Sequence, residues 1–394
     1  MVGLWVHERP AHCWTVEPTL VIVGAGIVGL AHALEGVRRG MRVVVLDRDE
    51  RAVGASVRNF GHVCVTAQDG RALGYARDAR RTWLDLAPQA GFRLWEAGTV
   101  VLARAEDELA VLAEFAASRG DDQVTVLDRR GIDLPLLADD VLGAARLPLD
   151  LRVDPREAVP AVASWLAAQG VEFHWRTAVT GVEAGLVRTT RGAFEAGATV
   201  VAVGHDVDRL LPDLADAAGL KRCRLRMFEV ATPGGHVIAP AVLSGTSMLR
   251  YPGLSGTAAA VDVRARIARD QPELLDAVVN LMLTQRPDGN LVVGDTHHYA
   301  VTHDPFLDED IDELVLREAA RLLGVPALTV RRRWTGVYAS APDEFLIAAP
   351  HPTTRVVSVT SGIGMTTAFG LAPTVLDGLN DRRPGHRAGG GAGR

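Results

Sequence analysis

The stretch from Val21 to Asp47 constrains this chain more than any other. It reads Val21-Ile22-Val23-Gly24-Ala25-Gly26-Ile27-Val28-Gly29-Leu30, passes through an apolar-periodic segment to Gly40, and closes on Val43-Val44-Val45-Leu46-Asp47. That order is strand, glycine turn, helix, strand and terminal acid, the fingerprint of a dinucleotide site. Gly24 permits the tight turn, Gly26 lets backbone approach a pyrophosphate, and Gly29 lets the helix pack against the strand. The helix start offers free N–H groups and partial positive charge to phosphates. Asp47 is placed to accept hydrogen bonds from ribose hydroxyls.

The 394 residues, 48% hydrophobic and 23% charged, suffice for two domains or one large intertwined unit. Net charge is −6, with 42 basic against 48 acidic side chains and no basic stripe, which argues against a nucleic-acid partner. Cys13, Cys64 and Cys223 follow neither a CxxC nor a zinc spacing, so no metal site is expected and a cytoplasmic location is. No apolar run reaches the 18 residues of a membrane span. Residues 1–18 read as an N-terminal extension without the pattern of a secretory signal. The Arg/Gly-rich residues 381–394 read as a disordered tail.

Beyond Asp47 and Arg48, a loop of small and polar residues runs through Gly54-Ala55-Ser56-Val57-Arg58-Asn59-Phe60-Gly61-His62, suited to lie along a ligand. A helix is expected over 71–86, with Trp83 and Leu86 inward. A strand pair over 92–102, broken at Ala97-Gly98, a helix over 106–118 and short strands over 124–127 and 142–153 follow. Asp154-Pro155 is a helix start, Asp at the N-cap and Pro at the first turn. Short β segments follow, ending in the apolar run Thr199–Val203 and Gly204, placed near the ligand. Antiparallel strands are expected from 221 to 333, with a hairpin at Pro287-Asp288-Gly289-Asn290, helical insertions over 261–279 and a helix over 310–323. The chain then returns to α/β: a strand over 333–338, a buried strand over 356–360, and Ser361-Gly362-Ile363-Gly364-Met365-Thr366-Thr367 opening a helix to Leu379. That last turn aims a second helix N-terminus at an anion or carbonyl oxygen.

Taken together, Gly24–Gly29, Gly54-Ala55-Ser56, Val203-Gly204, Trp334-Thr335-Gly336 and Gly362–Thr366 resemble the D-amino-acid oxidase superfamily of FAD-dependent amine oxidoreductases, which includes glycine and sarcosine oxidases. The resemblance spans residues 20 to 380. Ser56–Gly61, Arg250-Tyr251-Pro252, Gly294–Tyr299 and Gly336–Ser340 further resemble a subgroup linked to aminophosphonate catabolism. It implies a mixed α/β fold in which a Rossmann-like FAD-binding domain (19–85, 150–220 and 334–380) is interleaved with an antiparallel-sheet substrate domain (86–149 and 221–333). FAD would be held by Gly24, Gly26 and Gly29 at the pyrophosphate, by Asp47 at the adenosine ribose and by Val179 at the adenine, with Ile27, Val28 and Arg48 also in contact with the cofactor. Ser56, Arg58, Asn59, Phe60, Gly61 and His62 would run beside the ribityl chain and flavin. Gly204 would lie close by, and Gly362, Ile363, Gly364, Met365 and Thr366 would sit near the flavin C2 carbonyl.

One departure bears on substrate. Related amino-acid oxidases often carry Arg two residues after the glycine of Trp334-Thr335-Gly336, to fork a carboxylate; this chain has Tyr338. A tyrosine cannot supply that bidentate charged pair, whereas a phosphonate suits several separate donors. The candidates are Arg250, Tyr251, His297, His298, Tyr299 and Tyr338. Adjacent strand residues face opposite ways, so one of His297 and His298 at most should enter the site. Cys64 reads as a buried free thiol rather than a covalent flavin anchor.

The resemblance implies oxidation of a C–N bond in a small amine, with hydride passing from the α-carbon to flavin N5, the imine hydrolysing and molecular oxygen accepting the electrons. No side-chain base is singled out. The alternatives are an amino- or imino-acid oxidase or dehydrogenase and a non-catalytic flavoprotein subunit. An NAD-linked dehydrogenase leaves Gly362–Thr367 unexplained, and an NADPH-dependent monooxygenase calls for a second nucleotide loop after a strand.

Overall fold

The computed structural model describes residues 19–380; the expected N-terminal extension and tail lie outside the described residues. The first glycine segment folds as read: strand Leu20–Val23, helix Ile27–Arg38 and strand Val43–Leu46. The two strands are parallel neighbours, with Leu20 opposite Val43 and Val23 opposite Leu46. Every residue of both is buried, as an apolar run in a parallel sheet covered on both faces should be.

These strands lie near one edge of a fourteen-stranded sheet that changes character along its width. At one end Glu172–His174, Val43–Leu46, Leu20–Val23, Ala198–Val201 and Thr354–Ser361 run parallel. The sheet then continues through Val330–His351 into Lys221–Val230, Leu291–Gly294 and Met282–Gln285, all antiparallel. Ala241–Leu243, Thr99–Ala103, Gly143–Leu147 and Thr125–Asp128 follow, and His298–Ala300, paired with Lys221–Val230 off this path, completes it. The expected hairpin is present, pairing Gln285 with Leu291.

One strand joins the two halves. Val330–His351 is 22 residues long, far beyond the six expected over 333–338. Its first part pairs with Lys221–Val230 and its second with Thr354–Ser361. Pro342 and the acids after it break the sequence signal, because proline has no N–H for a ladder and acids have low strand propensity. The ladder absorbs them where its register shifts between Ser340 and Phe345. A short strand at Gly192–Glu195, not foreseen, completes a small three-stranded sheet with Val179–Glu183 and Leu186–Thr189.

The helices fix the glycine turns. Gly70–Ala90 and Gly364–Asn380 pack together through Trp83, which is fully buried and meets Phe369 edge-on at 4.9 Å. Its indole N–H donates to the Met365 carbonyl at 2.8 Å, pinning the first turn of the last helix. Asp154 caps Pro155–Ala168 as expected, accepting from the Arg156 N–H at 3.0 Å. Among the described residues no helix is long and apolar enough to cross a membrane.

Candidate active site

An elongated cavity of about 610 Å³ runs from the first glycine turn to the antiparallel half of the sheet. That volume lies within the usual range for a small-molecule or cofactor site. Gly24, Gly26, Ile27, Val28, Asp47 and Arg48 line one end. Gly24 has φ +106°, and a Cβ there would stand 2.5 Å from the Ala202 carbonyl oxygen. Gly29 is not on the wall: a Cβ on it would come within 1.8 Å of the Gly24 carbonyl oxygen, so it shapes the turn from behind. The helix start has no acid in its first turn. Ser56 Oγ accepts from the Ile27 N–H at 2.9 Å, tying the small-residue loop to the glycine turn.

Asp47 accepts from the Ala25 N–H at 2.7 Å through Oδ2 and from the Asp49 N–H at 2.9 Å through Oδ1. Burial pushes its pKa up, against those two backbone donors. Arg48 reaches Asp206 at 2.8 Å, and Val179 and Gly204 line the cavity beside them.

Farther along, Ser56, Arg58, Asn59, Phe60 and His62 form the wall. Gly61 stands behind it, packed against the Val153 carbonyl with φ +69°. His62 is buried, and its Nδ1 has no hydrogen-bond partner in the protein, a polar atom that a bound cofactor would satisfy. Gly362, Ile363, Gly364, Met365 and Thr366 at the start of the last helix also line the cavity, and Thr366 Oγ1 accepts from the Cys64 N–H at 3.1 Å.

Beneath this wall Asp150 is enclosed by donors: the Val65 and Thr66 N–H groups at 2.9 Å, Thr66 Oγ1 at 3.0 Å, Thr99 Oγ1 at 2.8 Å and His62 Nε2 at 3.3 Å. Burial opposes its charge, but His62, Thr66 and Thr99 hold its pKa below the usual carboxylate range. His62, Cys64 and Asp150 are close enough to share a metal ion, yet these hydrogen bonds already account for the carboxylate. Burial, then Asp150, pushes the Cys64 thiol well above its ordinary pKa, which keeps it neutral.

The far end of the cavity is lined by Arg250, Tyr251, Asn280, Met282, Asp295, His297 and Tyr338. Arg250 Nη2 donates to the Tyr338 hydroxyl at 3.4 Å and to the Ser361 carbonyl. Burial raises the Tyr251 and Tyr338 hydroxyls well above their ordinary pKa, so both stay neutral donors. Tyr251 has only the weak acceptor Met282 Sδ, at 3.5 Å. His297 is buried in the wall, while His298 is exposed and faces His303 at 3.0 Å. Tyr299, 44% exposed, lies off the cavity wall beside His297. Asp295, Asn280 and Met282 are not among the candidates the sequence offers, although an acid directly after the buried strand Leu291–Gly294 is an available signal; Cys64 is the buried free thiol expected.

The FAD dependent oxidoreductase (DAO) family matches residues 19–377, nearly the whole chain. The chain belongs to this family. It is therefore an FAD-dependent oxidoreductase, and the turns, the acid at Asp47 and the orphaned His62 nitrogen fit that cofactor. Similar solved structures include glycine oxidase from Bacillus cereus (17% identity, 92% of this chain and 95% of that one, TM-score 0.74). L-proline dehydrogenase from P. horikoshii (20%, 92% and 92%, 0.73) is also similar. So is L-alpha-glycerophosphate oxidase from Mycoplasma pneumoniae with FAD bound (18%, 93% and 95%, 0.72). At these identities the likeness is one of fold. No match was found among curated proteins.

Proposed function

We propose that this enzyme oxidises a C–N bond in a small amine that carries an acidic group, and that the acidic group is a phosphonate, as in 2-aminoethylphosphonate and its derivatives. The observation that carries the reading is Arg250. It is a half-buried cavity cation whose protein partners are a tyrosine hydroxyl and a backbone carbonyl, and among the described residues no carboxylate pairs with it. A guanidinium keeps its charge in proteins, so the unmatched charge calls for an anion from the ligand. Tyr251 and Tyr338 add neutral donors around it, an arrangement that suits the three oxygens of a phosphonate.

FAD supplies the two-electron acceptor, and molecular oxygen serves as the final one. Cofactor binding falls to segments 19–85, 150–220 and 334–380, and substrate binding to 86–149 and 221–333. The chain's own residues bind and orient. Arg250 and the tyrosines fix the acidic end, while Leu225 and Met282 on the cavity wall limit water around the reacting carbon.

A second reading, an amino- or imino-acid oxidoreductase, is favoured by the same arginine. One guanidinium is enough to fork a carboxylate, so Arg250 offsets the arginine missing at Tyr338. Anaerobic visible spectra with 2-aminoethylphosphonate, its N-methyl and 1-hydroxy derivatives, glycine and sarcosine separate the two. Bleaching by the phosphonates is expected; bleaching by glycine or sarcosine and by no phosphonate would establish the carboxylate reading instead.

A further inference from the structure

The acceptor-rich corner at the Arg250 end of the cavity is the feature the oxidation chemistry leaves unexplained. Asp295 is 4% exposed, and its Oδ1 is held by Asn280 Nδ2 at 2.9 Å. Its Oδ2 has His297 Nε2 as nearest ion-pair candidate, at 4.0 Å. His297 cannot play the cation. Its Nδ1 lies 3.0 Å from the Val278 carbonyl, which requires the proton on Nδ1 and leaves Nε2 a bare acceptor. Burial, with the nearby Arg250 charge, pushes its pKa down to about 3. Asn280 Oδ1 is a third buried acceptor, without a partner in the protein. Asp295 Oδ2 and His297 Nε2 thus face each other as two acceptors with no proton between them, which is costly unless something brings protons to them.

From this we infer that the notch between Asp295 Oδ2 and His297 Nε2 receives the ammonium group of the substrate, so that Asp295 and Arg250 read opposite ends of one zwitterion. An ammonium nitrogen at ordinary hydrogen-bond length, ~2.9 Å, from both acceptors fits across a 4.0 Å gap. The two ends are joined through Tyr338. Its hydroxyl is 3.4 Å from Arg250, and its ring meets the His297 ring edge-on with centroids 6.3 Å apart. That spacing suits a molecule with few atoms between amine and acid. The inference rests on the proposed acidic-amine substrate, and it assigns the selectivity for the amine to residues distinct from the anion clamp.

The test is calorimetric binding to the holoenzyme reduced with dithionite, so that ligands bind without being oxidised, at pH 8. The ligand pairs are 2-aminoethylphosphonate against ethylphosphonate, and β-alanine against propionate. D295N should weaken the amine-bearing member of the preferred pair tenfold or more and leave its amine-free partner within twofold. H297F should weaken the amine-bearing ligand severalfold and spare the other, and it carries the test if D295N fails to retain FAD. Equal losses for both members, or no loss for either, would overturn the ammonium site. Failure of the underlying reading has a separate signature: R250M would leave the binding of the amine-free acids unchanged.

Discussion

The Arg250 guanidinium stands 3.4 Å from the hydroxyl of Tyr338, the residue that occupies the position where related oxidases often carry their own arginine. The positive charge is supplied from the segment after helix Gly245–Met248 rather than from the long sheet strand. Removing it should be costly. R250M is expected to raise the KM for an acidic amine on the order of 100-fold, as truncating one side of a buried charge pair does. Y338F should cost about tenfold, one hydrogen bond to a charged group. Steady-state kinetics on both variants checks the ranking.

The cofactor turn separates two kinds of glycine. G29A should abolish FAD retention, since its Cβ would stand 1.8 Å from the Gly24 carbonyl oxygen in rigid backbone. G204A has φ +61° but nothing within 4 Å of its added carbon. It should lose only about 1–2 kcal/mol of stability to backbone strain and still purify with flavin. Absorbance at the flavin band relative to protein reports both.

The last helix depends on Trp83. W83F keeps an aromatic ring against Phe92 and Phe369 but removes the donor to the Met365 carbonyl. A buried carbonyl left without its partner costs about 1–3 kcal/mol. The thermal midpoint of W83F should fall, and FAD affinity with it, because the Met365 turn lines the cavity.

Asp295 carries a pH signature. Burial pushes its pKa up to about 7, against the Asn280 hydrogen bond and the charge of Arg250. The other titratable groups near it, His297, Tyr251 and Cys223, are neutral around that pH. Folding therefore carries a penalty that is absent below the carboxyl's ordinary pKa of 3.8, grows as pH rises, and is complete above about 7. Its full size is on the order of 4 kcal/mol. D295N should gain stability relative to the parent enzyme between pH 5 and pH 8, measured by denaturant titration. Affinity for an ammonium ligand moves the other way in the parent, rising with pH through 7 as the carboxyl ionises.

How much of this was legible from sequence depends on how local each feature is. The Val21–Asp47 unit is local: glycines at fixed offsets between two apolar strands leave few other folds, and the structure follows it residue by residue. Alternation allows at most one of His297 and His298 into the site, and the structure puts His297 in the wall and leaves His298 exposed. The acceptor corner was not legible in the same way. Asn280, Asp295 and His297 meet because two sheet strands and the turn near Val278 converge, and a lone Asp or Asn has no spacing signal. The Asp150 network draws on residues 62–66, 99 and 150 and has the same character. The continuation of Val330–His351 past Pro342 was hidden because the sheet tolerates a bulge that local propensity argues against.

The most direct test of the account is an anaerobic titration of the purified enzyme and its R250M variant with acidic amines, followed in the visible spectrum. A flavin spectrum is expected in both, with rapid bleaching of the parent enzyme and bleaching of R250M only at far higher amine concentration. A protein without flavin absorbance, or a parent enzyme that no acidic amine bleaches, would contradict it.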